Sequence, residues 1–281
     1  MTLSRTFRLA AIAALALFAV VACKREPTPA ETPVAPKPQA AASGGDYDEH
    51  SYAEPDKVAI DDLALDLALD FEARTISGTA TYTLDWRDDA ATALVLDTRD
   101  LAITAVEGQG AGGDWQPLDF DLAGRDELLG SKLTIQVPDR NEHVRVSYST
   151  SPEASGLQWL DAAMTGGKAT PFMFSQSQAI HARSWVPLQD TPRVRYTYSA
   201  RVTAPADVMV LMSADNDPAA ARDGDYSFSM PQRIPSYLMA IAAGDLVFKP
   251  ISARAGVWAE PSTVDRAVAE FEDTEKMIAT T

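Results

Sequence analysis

The chain has 281 residues with a formal net charge of −16, and 46% of its residues are hydrophobic. This composition is typical of a globular protein with one large core or two smaller ones, and it excludes a fully disordered chain. A negative surface repels the phosphate backbone of nucleic acids and anionic lipid headgroups, so neither is an expected partner of the folded surface.

The first segment has the features of an export signal. Arg5 and Arg8 precede an unbroken run of small and apolar residues at 9–22, which is too short to span a bilayer comfortably. Cys23 is the only cysteine and follows Val-Val-Ala, a sequence that resembles a bacterial lipobox. We predict a signal peptide at residues 1–22 and lipidation of Cys23, in a protein anchored to the cell envelope in the periplasm. An ordinary secretory signal with a chance cysteine is the alternative, and it also exports the protein.

Residues 23–55 are rich in proline and alanine and contain two adjacent glycines. Such a composition favours extended, solvated backbone. We predict a disordered tether that holds the folded part away from the membrane.

The clearest strand pattern follows the tether. Leu63, Leu65, Leu67 and Leu69 alternate with polar or small residues, which places four leucines on one face of a half-buried strand. Residues 75–86 are rich in threonine and aromatic residues and follow after a short polar break. Together the two segments predict an antiparallel hairpin.

Further strand patterns extend to residue 258, separated by breaks rich in glycine, aspartate and proline. They lie at residues 93–96, 101–107, 132–137, 143–148, 194–203, 209–213, 226–231, 237–243, 246–251 and 255–258. No internal repeat is present, which argues against propellers and solenoids. We predict a mainly β fold for residues 56–259, a large antiparallel domain with a sandwich-like or saddle shape.

The pattern changes to helical spacing at residue 260. Ser262 is followed three residues later by Asp265, which resembles a capping box, and apolar residues then recur every three or four positions. We predict a helix in residues 260–281, the first of a second domain.

Three further segments carry the functional signal. Residues 155–160 read S-G-L-Q-W-L, residues 171–181 read P-F-M-F-S-Q-S-Q-A-I-H, and residues 189–192 read Q-D-T-P. These segments, with weaker matches up to residue 275, resemble the zinc aminopeptidase family of leukotriene A(4) hydrolase and aminopeptidase N. The resemblance implies the N-terminal domain of that family, followed by the beginning of its catalytic domain.

The resemblance also implies site residues. Gln176 and Gln178 match two glutamines that line the family's substrate groove, where an uncharged amide can bond both a peptide backbone and a terminal amine. Ser177 lies between them, and the small side chain of Ala179 lets the substrate backbone pass close to the groove wall. We predict that Gln176, Ser177, Gln178 and Ala179 bind substrate. The alternative is two glutamines on the exposed face of an ordinary strand.

The catalytic motifs of the family are absent from this sequence. It contains no His-Glu-x-x-His zinc motif and no Gly-x-Met-Glu-Asn loop, and its histidines are His50, His143 and His181. We therefore predict no catalytic or metal-binding residue in this chain and no peptide hydrolysis by the chain alone. Zn²⁺ is implied for the full-length protein, with peptides, the missing catalytic domain and the membrane as partners.

A different class of function shares several of these features. A non-catalytic periplasmic β-sandwich lipoprotein that binds peptide or envelope polymer would have the same signal, tether and strand pattern. The reading frame beyond residue 281 distinguishes the two, because only the enzyme needs the zinc and amine-binding motifs there.

Overall fold

The four alternating leucines lie on the inner face of a strand, β1, Val58–Asp70, and each is at most 7% exposed. The chain turns at residues 71–74 and returns as β2, Thr75–Trp86, which pairs antiparallel with β1. The predicted hairpin is confirmed.

The structure, a computed structural model, describes residues 48–280. The predicted signal peptide, Cys23 and the predicted tether up to residue 47 lie outside this range. Between residues 48 and 280, no helix has the length and apolar character needed to cross a membrane.

The described residues are mainly β, as predicted. The other strands are β3 Ala93–Thr98, β4 Ala102–Gln109, β5 Trp115–Pro117, β6 Phe120–Leu122, β7 Ser131–Gln136, β8 His143–Ser149, β9 Leu157–Leu160, β10 Phe172–Ser175, β11 Tyr196–Thr203, β12 Met209–Met212, β13 Asp225–Ile234, β14 Ile241–Gly244, β15 Val247–Pro250 and β16 Gly256–Ala259. The helices are α1 Val264–Glu270 and α2 Thr274–Thr280.

The strands form three sheets and a separate hairpin. The seven-stranded sheet has the order β13-β11-β1-β2-β8-β4-β5, the four-stranded sheet β12-β14-β10-β9, and the three-stranded sheet β3-β7-β6. The hairpin consists of β15 and β16. The pairing is antiparallel except between β1 and β11, which run parallel with Leu63 beside Tyr198.

One hydrophobic cluster joins the three sheets. Tyr82 of the large sheet, Leu94 of the three-stranded sheet and Met173 of the four-stranded sheet are all fully buried in it. The large sheet therefore packs on both smaller sheets in a sandwich-like arrangement. Its other face carries ion pairs such as Arg201 with Asp225.

A side-chain amide completes the buried start of β1. The parallel pairing with β11 begins only at Asp62, which leaves the first residues of β1 without that neighbour. Gln189 fills the gap, because its Oε1 accepts from the Ile60 N–H at 2.9 Å and its Nε2 donates to the Val58 carbonyl at 2.9 Å. The buried backbone is thus satisfied without another strand.

The tether prediction is wrong at its end. The sequence predicts disorder up to residue 55, but residues 48–55 pack against the domain. Ser51 is 5% exposed and donates its hydroxyl to Asp97, and Tyr52 donates its backbone N–H to the same carboxylate at 2.7 Å. Polar contacts to a distant buried acid, which composition does not reveal, order this segment.

Two further expectations need correction. The strand predicted at residues 237–243 is a 3-10 turn at Ser236–Leu238 followed by β14, because the Ser236 hydroxyl bonds the buried Asp190 and holds the chain in a turn. The short strands β5, β6 and β10 are absent from the strand patterns read in the sequence. Each has only three or four residues, too few to show a period.

The predicted helix is divided in two and begins differently. Thr263 occupies the N-cap position of α1 without a side-chain capping bond, and Asp265 pairs with Lys249 of β15 instead of completing a capping box. Val264 is 2% exposed. The first helix is therefore held against the β15–β16 hairpin.

We predict that Gln189→Leu lowers the free energy of unfolding by about 2–4 kcal/mol, because it leaves the Ile60 N–H and the Val58 carbonyl buried without partners. Urea denaturation of the wild-type chain and the variant measures this change. Gln136→Leu is the control, since Gln136 is an exposed glutamine of β7. Equal stability of the Gln189 and Gln136 variants would contradict the role of this amide.

Candidate functional site

The four predicted substrate residues follow directly after β10, and we refer to residues 176–179 as the glutamine segment. Gln176, Gln178 and Ala179 are exposed, whereas Ser177 is 3% exposed. The Gln176 N–H donates to the Gly156 carbonyl at 2.9 Å, and its side-chain Oε1 accepts from the Gln178 N–H at 3.2 Å. The peptide bond between Gln178 and Ala179 is cis.

Ser177 anchors the segment from below. Its hydroxyl donates to the Met239 carbonyl at 2.8 Å and accepts from the indole N–H of the buried Trp185 at 3.2 Å. Since both contacts lie inside the protein, Ser177 is committed to the interior. The two glutamine side chains on either side of it face outward.

His181 lies at the end of the turn that follows. Its Nδ1 is 2.9 Å from the Ser155 hydroxyl and 3.1 Å from Nη1 of Arg99. Burial and the neighbouring Arg99 guanidinium lower the pKa of His181 below its ordinary value of 6.5, because both disfavour a protonated ring. The ring therefore serves as a neutral acceptor at neutral pH.

A fully buried arginine supports the turn. Arg183 donates from Nε to the Asp190 carboxylate at 3.0 Å, from Nη1 to the Leu129 carbonyl at 2.8 Å and from Nη2 to the His50 carbonyl at 2.8 Å. Its side chain and that of Asp190 are both 0% exposed. One guanidinium thus joins three segments that are distant in sequence.

Asp97 and Asp190 complete this buried charge network around Arg183. Besides Ser51 and Tyr52, Asp97 accepts from the Asp190 N–H at 2.9 Å, and Asp190 accepts from the Ser236 hydroxyl at 2.6 Å. Burial raises the pKa of Asp97, and the attraction to Arg183 opposes that rise. The network fixes the base on which the glutamine segment rests.

A cleft of about 600 Å³ adjoins the glutamine segment. Phe174 of β10 and Gln176 just after that strand line it, and so do residues of the edge strand β9 and of the loop before it. Its lining is Arg74, Pro152, Glu153, Ala154, Ser155, Gly156, Leu157, Gln158, Trp159, Phe174 and Gln176. Gln176 is the member of the predicted site that this cleft includes.

The three histidines lie apart from one another in contact with non-metal partners. His143 contacts the Thr83 hydroxyl at 3.3 Å, and the exposed His50 lies 3.7 Å from Asp48. Across residues 48–280, no three histidine, cysteine or acidic residues cluster in a way that could hold a metal ion. The described residues do not fit a zinc site.

Arg183 and Asp97 are structural residues of the site that sequence patterns did not identify, whereas Gln189 and Asp190 lie in the Q-D-T-P segment that carries the resemblance. One signal was present: Arg183 is the single Asp, Glu, Lys or Arg residue between positions 169 and 189. A lone charge in such an uncharged stretch is typical of a buried, paired group. Its partner at position 97 has no comparable signal.

Comparison with known proteins gives one family. The model of the peptidase M1 N-terminal domain matches residues 47–238. Leukotriene A-4 hydrolase of Xenopus laevis is 37% identical over 243 residues, which is 82% of this chain and 39% of the frog protein. Leucine aminopeptidase 2 of Yarrowia lipolytica is 38% identical over 216 residues, which is 75% of this chain and 32% of the yeast protein.

The fold comparison agrees. The solved structure of leukotriene A4 hydrolase from Saccharomyces cerevisiae matches with a TM-score of 0.76 and 33% identity, over 86% of this chain and 38% of that one. The chain therefore spans between about one third and two fifths of the length of these relatives.

We predict that Arg183→Met lowers the free energy of unfolding by about 3–5 kcal/mol, because Asp97 and Asp190 then stay buried without their cation. Urea denaturation measures this. Arg201→Met is the matched control, since Arg201 also forms an arginine–aspartate pair, but on the surface, where such a pair contributes about 0–1 kcal/mol. Similar losses in the two variants would contradict a special role for the buried network.

We also predict a pH dependence from His181. Its pKa is lowered on folding, so the unfolded chain binds the proton more tightly. The stabilisation is fully present above about pH 6.5 and is lost as the pH falls toward the folded-state pKa. His181→Gln removes this titration, and the free energy of unfolding of the wild type should fall more steeply than that of the variant below about pH 6.5. Parallel profiles in urea denaturation would contradict the prediction.

Proposed function

Because the chain belongs to the M1 peptidase family, as its N-terminal domain, we propose that it is the N-terminal part of a zinc aminopeptidase and supplies one wall of the substrate groove. The observation that carries this proposal is the outward orientation of Gln176, Gln178 and Ala179 above a rigid, buried base. The aminopeptidase name of one relative supports peptides as the substrates.

The amide side chains suit the capture of a peptide's amino end. A glutamine offers a carbonyl oxygen that accepts from an ammonium group and an NH₂ group that donates to a peptide carbonyl. Gln178 is fixed by its backbone contact to Gln176, and the buried Ser177 between them prevents the segment from moving as a free loop. Little ordering of the protein is then needed when substrate binds.

Ala179 completes the wall in this proposal. It is exposed beside Gln178 and has no side chain beyond Cβ, so a substrate backbone can pass close to it. A larger residue here would fill the space that the backbone needs.

The hydrolytic chemistry lies outside this chain in the proposal. When bound in the full-length protein, Zn²⁺ would activate the water that attacks the peptide bond. Residues 48–280 do not fit that ion, so this domain contributes binding and orientation. The neutral amides of the glutamine segment orient the amine without adding a charge.

We further propose that the protein works outside the cytoplasm as a lipoprotein of the cell envelope. The support is the apolar run at residues 9–22, the lone Cys23 after it and the proline-rich segment that follows. The acidic surface is compatible with attachment through a lipid alone, because it has no attraction for anionic headgroups.

We predict that the coding sequence after codon 281 contains the Gly-x-Met-Glu-Asn and His-Glu-x-x-His motifs, and that only the longer product cleaves an amino-acid p-nitroanilide. Sequencing of the downstream reading frame and a colorimetric assay of both purified products test this. In the longer product, Gln178→Ala should lower kcat/KM by about 10- to 100-fold, since a hydrogen bond to a charged group is lost.

Gln136→Ala is the control, because Gln136 is an exposed glutamine on the three-stranded sheet. Its kcat/KM should equal that of the unmodified enzyme. A reading frame without the two motifs would contradict the aminopeptidase proposal. An unchanged kcat/KM in Gln178→Ala would contradict the assignment of Gln178 to the wall of the substrate groove.

A further inference from the structure

The four-stranded sheet has two edge strands, β12 and β9. The two differ in whether their outward-facing backbone groups have hydrogen-bond partners. Along a strand, the backbone N–H and C=O groups of successive residues point alternately toward and away from the neighbouring strand. The Gln176 N–H donates to the carbonyl of Gly156, the residue just before β9, so the backbone of Gly156 points toward β10. In the register of β9 with β10, Gln158 and Leu160 then direct their backbone groups toward β10. Leu157 and Trp159 direct theirs away from the sheet.

At the opposite edge a side chain covers the outward backbone. The Asn216 Oδ1 accepts from the Met212 N–H at 3.1 Å, and its Nδ2 donates to the Met212 carbonyl at 2.8 Å. Gln189 hydrogen-bonds the backbone at the start of β1 in the same way. This chain therefore closes exposed strand backbone with amide side chains at two places.

The edge of β9 has no such cover. The Leu157 N–H donates to the Ala154 carbonyl. The Leu157 carbonyl and both backbone groups of Trp159 have no hydrogen-bond partner in the part of the chain that the structure describes. The strand sequence Leu-Gln-Trp-Leu contains no charge and no proline, two of the devices that protect an edge.

The space beside the open edge of β9 is large enough for an additional strand. The cleft of about 600 Å³ runs along β9, with Arg74, Pro152 and Glu153 among its other walls. A neighbouring strand lies about 4.8 Å away from the strand it pairs with, so it needs a channel of this kind beside the edge. The same cleft reaches Gln176, and the open edge is thus continuous with the glutamine segment.

We propose that the edge of β9 binds an extended peptide segment as a fifth strand of the four-stranded sheet. Two hydrogen bonds join the peptide to Trp159, and a third joins a peptide N–H to the Leu157 carbonyl. Backbone groups supply the affinity, so many peptide sequences are accepted, while proline at a pairing position is excluded. This site goes beyond the proposed function, because it needs neither a free amine nor zinc.

The test uses the ¹⁵N-labelled full chain and a peptide of alternating threonine and valine, capped by serine, acetylated at its amino end and amidated at its carboxyl end. We expect a saturable shift of the Trp159 backbone amide resonance, with a dissociation constant on the order of millimolar for so few hydrogen bonds. The same peptide with every amide nitrogen methylated should produce no shift, because it cannot pair with a strand edge.

A pair of variants locates the site. Glu153→Trp places a large ring at the cleft wall and should weaken binding at least several-fold, whereas Glu127→Trp, at another exposed glutamate, should bind as the wild type does. Equal shifts with the methylated peptide, or no shift in residues 157–160, would overturn the inference. So would binding to this chain that is absent from the longer protein, since a segment of the protein itself would then occupy the edge.

The outcome is distinguishable from that of the proposed function. A peptide with a free amine that shifts residues 176–179 but leaves Trp159 unchanged overturns the edge site and leaves the groove wall in place. A blocked peptide that shifts Trp159 alone supports the edge site whatever the fate of the aminopeptidase proposal.

Discussion

The buried guanidinium of Arg183 between Asp97 and Asp190 is the interaction on which the rest of the structure depends. Its contacts, together with those of the two carboxylates, bring together residues 50–52, β3, the loop before β7, the turn after the glutamine segment and the turn before β14. A charge that is fully removed from water must have all its partners in place, so the arrangement of these segments is close to all-or-none. Apolar packing alone, which tolerates small shifts, would not define their positions as sharply.

The same network explains why a short loop can present side chains with a fixed orientation. Ser177 is tied to Met239 and Trp185, and Arg183 ties the following turn to β3 and to the loop before β7. The exposed glutamines are therefore carried on a backbone that is held on both sides. Such preorganisation is what a binding wall requires, because a loop that must become ordered loses affinity when it does so.

Side-chain amides appear in two roles in this domain. Gln189 and Asn216 face inward or along an edge and satisfy strand backbone, which closes the sheets where no further strand follows. Gln176 and Gln178 face outward. The Gln176 Oε1 accepts from the Gln178 N–H, and the Gln176 Nε2 and the Gln178 amide are left for a partner. The residue type is similar in all four cases, and the difference lies in whether protein backbone or solvent is adjacent. The uncovered edge of β9 beside the outward pair is consistent with a surface that is used for peptide backbone.

The sequence by itself determined the mainly β class, the β1–β2 hairpin, the presence of helix within residues 260–281 and the family to which the chain belongs. These features depend on local periodicity, as in the leucines of β1, or on motifs that are contiguous, as in residues 171–181. Only the tertiary structure decided that Ser177 is buried between two exposed glutamines, that residues 48–55 are ordered, and that Arg183 is fully buried. Each of these depends on contacts between residues far apart in the chain, such as 51 with 97 or 183 with 97. Local sequence does not show which polar groups lose their water on folding and therefore need such partners.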